Sequence, residues 1–93
     1  MDKAEASELL NAHLAGYRHR SYAELRSLVG VPPTVTQDIG PSGTPYQLEI
    51  EVFWDAGPDG AVRVRGAIHD AGMRAFAPLT RDFLVGPDAR VSG

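Results

Sequence analysis

The sequence predicts an α+β protein: a long N-terminal helix and a short second helix packed on one face of a curved antiparallel meander of about four strands. Three observations carry this. Residues 2–29 repeat apolar side chains at helical spacing. Two later segments, Tyr46 to Asp55 and Ala61 to Asp70, alternate apolar and polar residues strictly. Between them, Ala56-Gly57-Pro58-Asp59-Gly60 is dense in turn formers.

The first helix is expected from Asp2 to about Ala15. Ala6, Leu9, Leu10, His13 and Leu14 recur at steps of three and four, with Lys3, Glu5, Glu8 and Asn11 largely outside the stripe. Either Gly16 ends the helix or Tyr17 extends it by a residue or two. Ser21-Tyr22-Ala23-Glu24 is a capping box, so a second helix is expected over Tyr22 to Leu28. Gly30 and Pro32-Pro33 forbid its continuation.

From Thr34 the chain reads as β. Thr34 to Ile39 is a first strand, rich in β-branched residues. Gly40-Pro41-Ser42-Gly43-Thr44-Pro45 is a turn. The ribbon follows. Its first strand puts Tyr46, Leu48, Ile50, Val52 and Trp54 on one side, and its second adds Val62, Val64, Gly66 and Ile68. Asp70-Ala71-Gly72 is expected to turn. Met73 to Pro78 is then a fourth strand, at an edge because proline donates no ladder bond. Phe83-Leu84-Val85 is a short last strand, and residues 86–93 are a frayed tail. In this register Phe76 falls opposite Gly66 and fills the gap that the glycine leaves.

At 93 residues the chain is one domain. No apolar run approaches the ~20 residues of a membrane helix. Met1-Asp2-Lys3-Ala4-Glu5 lacks the basic start and apolar stretch of a signal peptide, so the expected localisation is cytoplasmic. There is no cysteine, which removes disulfides, thiolate catalysis and cysteine-based zinc sites together. The formal charge is −3 with signs mixed. Beyond Arg18-His19-Arg20 there is no basic face of the kind that nucleic acid phosphates require. Nucleic acid and membranes are therefore not expected partners, and no cofactor is implied.

Leu9-Leu10-Asn11-Ala12-His13-Leu14-Ala15-Gly16-Tyr17, followed by Ser21-Tyr22-Ala23-Glu24-Leu25, resembles the opening of nuclear transport factor two-like domains. The order of helix first and meander second is similar to cystatin-like folds, which share that cone-like architecture. Gly40-Pro41-Ser42-Gly43-Thr44-Pro45-Tyr46 with Val52-Phe53-Trp54-Asp55 resembles a group of small uncharacterised bacterial proteins. These resemblances imply a fold and carry no catalytic residue onto this chain.

Pairing the ribbon through its five-residue turn sets Glu51 against Arg65, Phe53 against Arg63 and Gln47 against His69. Such pairs on a solvated sheet are routine and worth a few tenths of a kcal/mol each. The same face is expected to hold Phe53, Ala67, Met73, Ala75 and Ala77, a small apolar patch of the kind that marks a contact site. Homodimerisation through this face or through an exposed strand edge follows as the expected role.

The catalytic readings are thin. His69-Asp70 is a histidine beside an acid, but neighbours on a strand diverge to opposite faces. No nucleophile or oxyanion donor set accompanies them. His13, His19 and His69 share no metal-ligand spacing, so no metal site is expected. Arg18-His19-Arg20 before the capped helix has the ingredients of an anion site, although Ser21 already serves one of the amides. The expected role is a non-enzymatic interaction module whose partner is itself or another protein. The alternative is a small-molecule binding domain or enzyme, with a cavity between helix and sheet lined by His13, Tyr17, Trp54 and Phe76.

Overall fold

A computed structural model describes residues 2–70, 78–88 and 91–92. Helix α1 spans Lys3–Arg18, and Asp2 caps it by accepting the Glu5 N–H at 3.1 Å. It runs through Gly16 rather than stopping there. One glycine costs a helix about 1 kcal/mol, and the packing of Leu14 and Tyr17 on either side outweighs it. Helix α2 spans Tyr22–Ser27 with both halves of the predicted capping box formed at Ser21 and Glu24. Gly30 follows with φ +86°, the left-handed conformation that glycine adopts without steric cost.

Five strands form one antiparallel sheet in chain order: β1 Thr34–Ile39, β2 Pro45–Trp54, β3 Val62–Asp70, β4 Leu79–Val85 and β5 Val91–Ser92. The chain is thus α+β, as its sequence predicts. The ribbon register is also as predicted, with Glu51 opposite Arg65, Phe53 opposite Arg63 and Gln47 opposite His69.

The C-terminal part differs. The strand beside β3 is Leu79–Val85, and Pro78 precedes it instead of ending a strand. Phe83-Leu84-Val85 is the second half of this strand, not a strand of its own. The tail does not simply fray, because Val91 pairs with Val85 and Ser92 with Leu84. Five residues of the expected fourth strand, Met73 to Ala77, lie outside the described residues. Alternation alone does not reveal the length of a β3–β4 connection, and the register hangs on that length.

The core is the inner face of the sheet beneath α1 and α2. Leu48, Ile50, Val52, Val62, Val64, Ile68, Phe83 and Val85 are buried against Ala6, Leu10, Leu14 and Leu25. Gly66 stands opposite Arg81, not Phe76. The space above it is taken by α1: a Cβ there would lie 2.7 Å from Leu10 Cδ1 and 3.2 Å from Leu14 Cδ2. The glycine lets the long helix approach the sheet closely. Among the described residues no helix is long and apolar enough to cross a membrane.

Candidate functional site

The residues expected to line one cavity have separate duties. His13 Nε2 lies 3.2 Å from Asp38 Oδ2, so the imidazole ties α1 to the edge strand β1. Asp38 Oδ1 also accepts the Ile39 N–H at 2.8 Å. The His13 contact, followed by this amide, holds the Asp38 carboxyl below its ordinary 3.8. Trp54 carries the Arg26 guanidinium 5.7 Å from its ring centroid. Tyr17 borders a hollow of about 130 Å³ with Arg20, Leu28, Val31, Thr34 and Val52, and neither His13 nor Trp54 is among its walls. Phe76 lies outside the described residues.

The two arginines of the Arg18-His19-Arg20 segment each lie over an aromatic ring. Arg18 sits 4.4 Å from the Phe83 centroid and Arg20 5.1 Å from that of Tyr17. A guanidinium stacked in this way covers apolar surface while staying in water. Among the described residues, no three His, Asp or Glu side chains converge as metal ligands would.

The outer face of the sheet is largely self-satisfied. Arg63 lies between two acids: its Nη2 is 2.8 Å from Asp55 Oδ1 and its Nη1 is 3.0 Å from Asp82 Oδ1. The hydrogen bond to Asp55 leads the causes that raise its pKa. Arg65 lies 3.8 Å from Glu51 and stacks 5.2 Å from the Phe53 centroid. Of the expected patch, Phe53 and Ala67 are on this face and half-buried. Met73, Ala75 and Ala77 lie outside the described residues. The positions beside Arg63, Arg65 and Ala67 are taken by Leu84, Asp82 and Thr80 of β4.

The open edge of the sheet is different. β1 pairs with β2 along its whole length, and among the described residues no strand pairs with its other side. Of the large hydrophobics that stand exposed among the described residues, Val35 at 56% and Ile39 at 67% lie on this strand, and Val31 at 50% lies three residues before it. Thr34, Thr36 and Asp38 sit opposite Ile50, Leu48 and Tyr46, so they point to the helix side. Val35, Gln37 and Ile39 therefore point to the outer face. An open hollow of about 430 Å³, bounded by Gln37, Asp38, Ile39, Pro45 and Tyr46, leaves this half of the edge uncovered.

Sequence reasoning named an exposed edge as one contact route but not Val35 and Ile39. The available signal was a β-rich strand with no lysine, arginine or proline and a single inward-pointing acid, Asp38, to protect its edge.

No protein-family model matches this chain, and no curated protein or solved structure shows significant similarity to it.

Proposed function

We propose that this protein is a non-enzymatic interaction module that associates with a second copy of itself through the open β1 edge. One observation carries the reading: Val35 and Ile39, two of the three exposed large hydrophobics among the described residues, lie on the edge strand β1, which pairs with β2 without a bulge and whose one charge, Asp38, points inward to His13. An edge of this kind is a template for strand addition. The outer sheet face supports association less well, because its arginines are already matched by Asp55, Asp82, Glu51 and Phe53.

The alternative is a ligand site at the hollow beside Tyr17, with Arg20 as its cation. At about 130 Å³ that hollow is well below the ~300–1,000 Å³ of ordinary ligand pockets, and the hollow of about 430 Å³ beside Ile39 is an open depression along the edge rather than an enclosed site, which favours the first reading.

Sedimentation velocity from low to high micromolar concentration tests the proposal. The expected result is a monomer–dimer equilibrium that Ile39→Lys abolishes with an unchanged far-UV CD spectrum. A monomer throughout the range would refute it.

A further inference from the structure

Resting on that reading, we propose the register of the contact: β1 pairs antiparallel with β1 of a second copy about a two-fold axis at Gln37, so that Val35 of each copy faces Ile39 of the other.

The backbone sets the parity. The Gly40 N–H donates to Thr44 O at 2.9 Å. Antiparallel pairs alternate between bonded and unbonded, so the even-numbered residues of β1 turn their N–H and C=O groups toward β2. The next ladder agrees, since the Asp55 N–H donates to Ala61 O and the odd-numbered residues of β2 therefore serve β3. Val35, Gln37 and Ile39 are left with N–H and C=O aimed at the open edge. The Ile39 N–H, taken locally by Asp38 Oδ1, is one of these outward donors.

A second strand must match odd residues to odd residues. Centring on Thr36 sets Val35 against Gln37 and Ile39 against Pro33, which has no N–H to give. Centring on Asp38 sets Ile39 against Gln37 and Val35 against Pro41, with the same loss. Centring on Gln37 matches Val35 with Ile39 twice and Gln37 with itself, and all three outward residues find partners once the Ile39 N–H leaves Asp38 Oδ1.

The charges agree as well. The chain carries a formal −3, so acid facing acid across the axis would oppose association. In this register Asp38 faces Thr36 of the second copy, whose hydroxyl can donate to it. The outer side of the seam, Val35, Gln37 and Ile39, is uncharged. A seam of six-residue strands is smaller than the ~1,200–2,000 Å² of a standard interface, so the contact is weak and reversible.

The chain has no cysteine, which makes disulfide trapping clean. Opposed Cα atoms of a bonded antiparallel pair are about 5.5 Å apart, inside the Cα range of a disulfide, and a closing movement of about 1 Å between the Cβ atoms completes the bridge. Gln37→Cys at high micromolar concentration under mild oxidation is expected to give mostly covalent dimer. Val35→Cys and Ile39→Cys alone place their thiols roughly four residues, about 13 Å, out of register and should stay uncoupled. An equimolar mixture of these two should give the mixed disulfide.

A wild-type chain that sediments as a dimer, with Gln37→Cys uncoupled or Val35→Cys coupled to itself, overturns the register and leaves the edge reading standing. A wild-type monomer with no trapping overturns both and leaves the edge to a strand from a different protein.

Discussion

The Glu5 carboxylate accepts the Tyr46 hydroxyl at 2.8 Å, joining the first turn of α1 to the first inward side chain of β2. The same carboxylate accepts the Ser42 N–H at 2.9 Å and the Ser42 hydroxyl at 2.8 Å. One side chain thus fixes the helix start, the β1–β2 turn and the core boundary. It lies so close over Gly40 that a Cβ there would meet Glu5 Cδ at 2.5 Å. Tyr46 is fully buried. Tyr46→Phe is expected to cost about 1.5–3 kcal/mol, as for a hydrogen bond to a charged acceptor. Glu5→Gln should also destabilise, because an amide cannot accept from Ser42 and Tyr46 together without turning its NH₂ toward a donor. Urea unfolding of both variants checks this.

The same cluster sets a pH profile. The Ser42 hydroxyl, then the Ser42 N–H and Tyr46, hold the Glu5 carboxyl below its ordinary 4.5. Asp38 is likewise held below 3.8, chiefly by His13. A depressed carboxyl pKa contributes stability above the unfolded value and loses it as pH falls through the folded one. Acid unfolding should therefore begin below about pH 4.5 and be blunted in Glu5→Gln. Tyr46 acts at the other end: burial first, then Glu5, pushes its phenol from 10.0 up to about 12. Its contribution is complete below pH 10 and is lost as pH rises toward 12. Phenolate absorbance, wild type minus Tyr46→Phe, should show the Tyr46 step near 12, and a step near 10 would refute it.

Gly66 supports a third prediction. Gly66→Ala pushes a methyl group to 2.7 Å from Leu10 Cδ1 in a helix whose inner face is fully buried. Overpacking of this size costs about 1–3 kcal/mol. Leu10→Val withdraws the clashing methyl, so the double variant should recover part of the loss and show a favourable coupling in a double-mutant cycle. Additive effects would mean that the helix does not rest on this glycine.

Gly66 also marks where sequence reading stopped. Its place on the core face followed from period-two alternation, as did every inward residue of β2 and β3. What fills the space above it depends on tertiary approach, and Leu10 and Leu14 reach it from far away in sequence. Helix α1 was legible from its apolar stripe of Ala6, Leu10 and Leu14, and α2 because Ser21 and Glu24 carry a local capping signal. The β4 register was not, because no local pattern ties Leu79–Val85 to Val62–Ile68. The exposed edge was half legible. The β propensity of Thr34–Ile39 marks a strand, but only the pairing with β2 shows which residues turn outward. The His13–Asp38 tie joins residues 25 positions apart and leaves no trace in spacing.

The β2–β3 turn tests whether α2 is fastened by backbone geometry or by charge. The Tyr22 hydroxyl donates to Gly60 O at 2.7 Å, and Arg26 forms an ion pair with Asp59. Asp59 has φ +66°, a left-handed conformation that costs most side chains about 1–2 kcal/mol. Tyr22→Phe should cost about 1 kcal/mol through the lost bond to Gly60. The ion pair is solvent-exposed and contributes little, about 0–1 kcal/mol. Asp59→Gly loses that pair but relieves the backbone, so its stability should stay within about 0.5 kcal/mol of wild type. Asp59→Ala loses the pair and keeps the strain, and should be less stable than Asp59→Gly by about 1 kcal/mol. Equal stability of the two Asp59 variants would mean that the Arg26 contact, not the turn conformation, decides this position.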